Sequence, residues 1–298
     1  MKLRTNLALL SVALSGTLYG SMGLFGTWLL QEGFSVSNML FWRFSTASLT
    51  ILLMGLRHLH TMNWQILRAT LLNSLLYSAS SGLFFVASNT IGTGVGMVIF
   101  YIYPIFIFLF LWLFLKQPIA RSSWFSLAVV ILGFIFLNTN IRVESTGMNS
   151  LGFGFAVLSS LAYAAYILLS KKRAQQIDAY LSTFVLCLVS SVYFLILSHA
   201  EGSFSWPAST KSWITVFALG LIATSVPILL MLKGLETIGA EKAAILSVLE
   251  PVFTVILGFI FLEENLSSMQ FVGIVIILGG TVFNQLQPNP RKPIDRLS

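Results

Sequence analysis

Two charged side chains, Arg43 and Glu250, fall inside long apolar runs of this sequence. An ionisable group in such a run is costly unless it pairs or meets water, so each is a candidate for substrate or ion chemistry. Glu250 lies near the middle of its run, where a carboxyl can exchange a proton or face a substrate amine. It can equally serve as a hydrogen-bonding group to a neighbouring helix. Arg43 lies about seven residues from the end of its run, roughly 10 Å at 1.5 Å per residue, so its guanidinium can act in a site or snorkel to the lipid headgroups.

Tyr77, Tyr101, Tyr103, Tyr163 and Tyr166 also sit deep in apolar runs, where a hydroxyl must find a partner or water. With Ser80 and Ser81 they can line an aromatic, moderately polar pocket; tyrosines bonded across packed helices would have the same pattern. The expected substrate-binding set is Tyr77, Ser81, Tyr101, Tyr103, Tyr163 and Glu250, with Glu250 also the proton-coupling group. Pro104, Pro227 and Pro251 fall inside apolar runs, where each lacks an N–H and leaves the carbonyl four residues earlier without its usual partner. Such breaks are tolerated in lipid where protein or a watery cavity satisfies the backbone, although a plain kink would use the same residue.

Other chemistries find little support. The chain has no H-E-x-x-H, G-x-S-x-G or G-K-S/T pattern, and its only aspartates, Asp178 and Asp295, fall in a loop and the C-terminal tail. His58 and His60 stand at the end of a run with no third donor nearby, and Cys187 is the single cysteine, so no metal site and no cofactor is expected. Gly92 to Met97 has the glycine density of a nucleotide loop, but Met97 stands at the last glycine position and no strand precedes it.

The elements that must hold these residues are membrane helices. The 298 residues are 56% hydrophobic and only 9% charged, with a mean hydropathy of +0.88. No soluble catalytic or nucleic-acid-binding domain fits beside that much apolar chain. The net charge of +7 resides in short basic clusters between runs, so no nucleic-acid partner is implied; the bilayer is the partner. Apolar runs at 7–30, 36–57, 64–88, 93–115, 122–139, 148–170, 179–199, 211–232, 241–262 and 269–287 give ten spans, with a polar turn at 89–94 dividing the third from the fourth. With the N-terminus inside, fourteen lysines and arginines fall on one face and only Arg142 and Lys211 on the other. That asymmetry places both termini in the cytoplasm, at the inner or plasma membrane, with 288–298 as a short tail.

The sequence also repeats. Ile91-Gly92-Thr93-Gly94 through Tyr103-Pro104 aligns without a gap on Ile238-Gly239-Ala240-Glu241 through Glu250-Pro251 at an offset of 147, which also carries Gly133 onto Gly280 and Lys116 onto Glu263. Leu18-Tyr19-Gly20 aligns with Ala162-Tyr163-Ala164 at an offset of 144. The expected architecture is an all-α integral membrane protein of ten transmembrane helices in two inverted five-helix repeats, 1–142 and 143–287. Inverted repeats are an architecture of secondary transporters, with the substrate site near the midplane.

The chain resembles the EamA-type ten-helix drug/metabolite transporters. The resemblance rests on Leu249-Glu250-Pro251-Val252-Phe253, Phe261-Leu262-Glu263-Glu264 and Gly273 to Gly280, on the weaker copy Tyr101-Ile102-Tyr103-Pro104 followed by Gly133, and on Phe41-Trp42-Arg43-Phe44. It implies carriage of a small-molecule substrate, often export of amino acids or related compounds, by exchange or by coupling to protons. The few fixed charges within the spans favour small zwitterions or uncharged metabolites over polyphosphates. The competing classes are an intramembrane enzyme, whose motifs are missing from the chain, and a helical receptor or scaffold, which gives no reason for an inverted duplication.

Overall fold

Backbone in hydrocarbon must satisfy its own hydrogen bonds, and helix is the form that lets a single apolar segment do so. The computed structural model describes residues 2–138, 150–174, 176–263 and 266–287, whose regular secondary structure is entirely helical, with no strand. Arg142, Glu264 and the tail 288–298 lie outside the described residues.

The elements are α1 (Lys2–Gln31), α2 (Val36–Gly55), α3 (Trp64–Ile91), α4 (Thr93–Phe100), α5 (Tyr103–Leu113), α6 (Arg121–Leu137), α7 (Ser150–Arg173), α8 (Ala179–Ala200), α9 (Thr210–Gly220), α10 (Val226–Leu235), α11 (Ala240–Ser247), α12 (Leu249–Phe261) and α13 (Ser268–Leu286). They make nine segments long and apolar enough to cross a bilayer among the described residues, with α4–α5, α9–α10 and α11–α12 each counting as one broken span. The apolar α6 has 17 residues. At 1.5 Å per residue that is roughly 25 Å, just short of the ~30 Å hydrocarbon core.

Helix starts follow from capping chemistry. Ser35, Asn63, Asp178, Ser209 and Ser267 accept backbone N–H bonds from the first turns of α2, α3, α8, α9 and α13. The expected turn at 89–94 is narrower than the sequence implies, because α3 continues through Asn89, Thr90 and Ile91. The chain reverses at Gly92, whose φ of +83° is a left-handed value that glycine adopts without steric cost.

Each interior proline coincides with an interruption. Pro104 opens α5 after a break at Tyr101 and Ile102, and Pro251 opens α12 after a break at Val248. Before Pro227 the helix widens into a π turn at Leu221–Ser225, in which the Val226 N–H reaches back to the Leu221 carbonyl. The carbonyl that Pro104 leaves free, that of Phe100, accepts a 2.9 Å bond from the Ser160 hydroxyl of α7. At the third break, the Ser15 hydroxyl of α1 donates to the carbonyl of Pro227 itself at 2.7 Å.

Helices pack across the two halves of the chain. α1 lies on α10 and α12, α7 lies on α3 and α5, α2 pairs with α8, and α6 pairs with α13. Small residues set the closest approaches, as expected where close packing replaces the hydrophobic effect. A Cβ on Gly20 of α1 would stand 2.6 Å from the Phe253 Cβ, and one on Gly273 of α13 would stand 2.6 Å from the Leu137 nitrogen and 2.7 Å from the Gly133 carbonyl oxygen. Because the neighbours of Gly273 are backbone atoms that cannot swing aside, Gly273→Ala is expected to cost about 1–3 kcal/mol. Thermal unfolding in detergent should show a clear drop in midpoint, whereas Gly279→Ala, which meets nothing within 4 Å, should be neutral.

Candidate functional site

A cavity of about 440 Å³ opens between α1, α2, α3, α4, α6, α7 and α12. It runs inward from the end of the molecule where α1 and α3 stop and α2 begins, marked by Leu30, Val36, Asn89 and Asn138. Its size falls in the ~300–1,000 Å³ range of small-molecule sites. Arg43 and Glu250 are the only charged residues among the described residues that line it. The remaining wall is largely apolar, with Met22, Phe84, Phe85, Phe100 and Phe134 contributing bulk.

The local structure explains why each charge is where it is. Arg43 is 5% exposed, its guanidinium turned into the protein rather than toward headgroups, with Nε donating to Thr224 Oγ1 at 2.7 Å and its Cζ 4.8 Å from the Phe44 ring centroid. Thr224 lies in the π turn, and its hydroxyl also donates to the Leu219 carbonyl at 2.8 Å. The turn ahead of Pro227 thus supplies the fixed acceptor for Arg43. Gly220, where a Cβ would stand 2.0 Å from Thr46 Oγ1, lets α9 approach α2 closely enough for that bond. Glu250 stands in the first turn of α12, next to the break at Val248 and to Pro251, which also lines the cavity. Its backbone carbonyl accepts from Thr254 Oγ1 at 3.0 Å, and the same hydroxyl reaches the Gly20 carbonyl at 3.2 Å, pinning α12 to α1.

Of the residues expected from sequence to contact substrate, Tyr77, Ser81, Tyr101, Tyr163 and Glu250 line the cavity. Tyr103 does not. It is buried one layer behind, with its ring centroid 4.7 Å from that of Tyr163. Tyr166 is likewise packed behind Tyr77, at 5.1 Å. Tyr101 stacks at a tilt on Phe134 at 5.0 Å and is close enough to interact with the Glu250 carboxyl. Pro104 and Pro227 shape the neighbouring backbone without forming the wall.

Sequence reasoning missed Tyr19, which lines the floor and is close enough to hydrogen-bond Tyr77. The signal was available: the 144-residue offset places Tyr19 on Tyr163, already singled out. Thr224 was missed for lack of any signal, because only the π turn aims it at Arg43.

The opposite end of the molecule is closed by bonds between helices, some within one half of the chain and some across the two. Lys171 Nζ donates to the Leu235 carbonyl at 2.6 Å, capping the C-terminus of α10, and Arg173 donates to the Ala69 carbonyl at 2.5 Å. His58 Nδ1 stands 3.1 Å from the Asp178 carboxylate, and its ring stacks on Tyr180. Partial burial there, reinforced by the nearby Asp178 charge, pushes the Glu236 carboxyl above its ordinary pKa.

Known proteins are similar to this chain in sequence, and a solved structure is similar in fold. A transporter of Bacillus subtilis, YwfM, described as uncharacterized, is 27% identical over 241 residues, covering 79% of each chain. A second from the same organism, YcbK, is 25% identical over 70% of this chain and 69% of its own. The protein PecM of Dickeya dadantii is 24% identical over 79% of this chain and 78% of its own. A solved crystal structure superimposes with a TM-score of 0.81 at 15% identity, covering 94% of this chain and 96% of that one, which shows a shared fold. The family model described as EamA-like transporter matches twice, over residues 6–139 and 150–285. With nine apolar spans among its described residues and a family match over nearly its whole length, this chain is a multi-pass membrane protein that belongs to the EamA-like transporter family.

Proposed function

We propose that this protein is a secondary transporter that exports small zwitterionic or neutral metabolites, amino acids or close relatives, by alternating access. The observation that carries the reading is the cavity itself: one buried cation and one carboxyl, Arg43 and Glu250, in a largely apolar wall with tyrosines and a few uncharged polar side chains such as Ser80, Ser81 and Asn138. A zwitterion matches that arrangement, its carboxylate on Arg43, its ammonium on Glu250 and an apolar side chain against Phe84, Phe85 and Phe134. A fixed guanidinium is well suited to a carboxylate because its planar donors fit both oxygens. Tyr101 and Tyr163 supply hydroxyls and ring faces beside Glu250.

The same reading takes the chain as ten spans in two inverted five-helix repeats, 1–142 and 143–287, with both termini cytoplasmic in the plasma or inner membrane. Three features support it. The contacts are reciprocal, α1 on α10 and α12 matching α7 on α3 and α5. The 147-residue offset carries the first residues of α4 and α6 onto the first residues of α11 and α13. Lys116 and Glu263, matched by that offset, are the two non-glycine residues with positive φ among the described residues, at 49° and 57°. In this orientation the cavity mouth faces outward, and Lys211 and Glu32, 3.5 Å apart, lie on the outer face.

Two experiments test these statements. Purified protein in proteoliposomes loaded with one unlabelled amino acid at a time should accumulate the corresponding radiolabelled amino acid by counterflow, fastest for those with large apolar side chains. No counterflow with any amino acid or neutral metabolite would refute the substrate class. Reporter fusions after Ser35 and Ser203 are expected to read as outside, and fusions after His60, Arg173 and the C-terminus as inside; a C-terminal reporter reading outside would overturn the span count.

A further inference from the structure

The cavity takes three residues from the end of α6 and its cap: Phe134, Leu137 and Asn138. The 147-residue offset, which carries the first residue of α6, Arg121, onto the first residue of α13, Ser268, carries these three onto Thr281, Asn284 and Gln285. Two apolar wall residues of one half thus correspond to two polar residues of the other, at positions where the packing of α13 on α6, α11 and α12 leaves almost no room. Thr281 is 3% exposed and Asn284 0%.

An independent observation falls on the same three residues. Thr281 Oγ1, Asn284 Nδ2 and Gln285 Oε1 are buried polar atoms with no hydrogen-bond partner, three of the five such side-chain atoms among the described residues. Gln285 donates to Asn284 Oδ1 at 3.2 Å, which leaves the Asn284 amide hydrogens and the Gln285 oxygen unanswered. Buried donors and acceptors are expensive to leave unpaired, so a cluster of them on one helix end calls for an explanation. They stand at the end of α13 beside Lys242, itself buried and donating to the Gln287 carbonyl at 3.1 Å, which is the closed end of the molecule.

We infer that Thr281, Asn284 and Gln285 line a second, inward-opening vestibule, closed in this structure, that takes the same small polar or zwitterionic molecules and their water on the cytoplasmic side. Their unpaired atoms are satisfied when α6 and α13 exchange roles: the Phe134 wall closes and the Thr281 wall is wetted. The unmet bonds disfavour the state seen here and hold the two states near balance, which a carrier needs in order to reset when empty. This inference rests on the transport reading, and its test separates the two.

The test is cysteine accessibility in a background in which the buried Cys187, the single cysteine, is replaced by alanine. Phe134→Cys, Thr281→Cys and Asn284→Cys are each made in the full-length chain, and a membrane-impermeant methanethiosulfonate reagent is applied to right-side-out and inside-out vesicles. The expected result is that Phe134→Cys reacts about ten-fold faster or more from outside, while Thr281→Cys and Asn284→Cys react faster from the cytoplasmic side by a similar factor. If Phe134→Cys is labelled from outside but Thr281→Cys and Asn284→Cys are inert from both sides, or react from outside, the inference is overturned while the outward cavity stands. If Phe134→Cys is not reached from outside, the cavity reading beneath it falls as well. Should the α13 cysteines not accumulate, Thr281→Val in the Phe134→Cys chain decides: removing a hydroxyl satisfied only in the wetted state favours the state seen here. Outside labelling of Phe134→Cys then rises about three-fold; an unchanged rate refutes the vestibule.

Discussion

Glu250→Gln is expected to abolish transport driven by an imposed pH gradient while leaving expression and folding near normal. Glutamine keeps the shape and one carbonyl acceptor of the carboxyl but can neither release a proton nor carry the charge that answers a substrate ammonium. Glu250 is the single carboxylate lining the cavity among the described residues, so no neighbouring acid is placed to substitute for it. Flux into proteoliposomes with and without a pH gradient, measured for wild type and variant at equal protein, provides the check. A variant retaining full gradient-dependent flux would reduce Glu250 to a hydrogen-bonding group between α12 and its neighbours. Loss of gradient-driven flux with counterflow intact would assign it to proton coupling, and loss of both to substrate binding.

The second large effect is expected at Arg43. Arg43→Gln removes the only cation lining the cavity among the described residues, and kcat/KM for a zwitterionic substrate should fall by about 10²-fold, the scale of truncating one partner of a buried, hydrogen-bonded charge pair. A neutral substrate lacking the carboxylate should lose much less. Arg43→Lys should not restore the activity, because the Thr224 hydroxyl is placed for Nε of a guanidinium, and an ammonium on a flexible stem offers no planar fork. Combining Arg43→Gln with Glu250→Gln separates binding from structure. If the two charges chiefly neutralise one another, the double variant will be more thermostable than either single variant, since each single change leaves one buried charge uncompensated. If they bind the two ends of a substrate, the double variant will be inactive with stability changes that add.

Much of this was written in the order of the residues. Apolar runs separated by basic clusters specify helices in a bilayer because the cost of unsatisfied backbone in hydrocarbon leaves a single run no other form, and that physics needs no tertiary information. The intramembrane positions of Arg43 and Glu250 and the interruptions at Pro104, Pro227 and Pro251 were legible for the same reason: each residue violates what a continuous lipid-facing helix tolerates. The internal repeat was legible too, and its offset of 144 would have pointed to Tyr19 through Tyr163.

What one dimension did not contain was direction. Whether Arg43 reaches headgroups or turns inward depends on α9, whose approach at Gly220 and whose π turn at Thr224 come from a segment about 180 residues away. Tyr101 and Tyr103 are two residues apart and look alike in sequence, yet the break between α4 and α5 sends one into the cavity wall and packs the other behind Tyr163. Only the packed structure could choose between them, because the break replaces the regular turn from which a helical face is read.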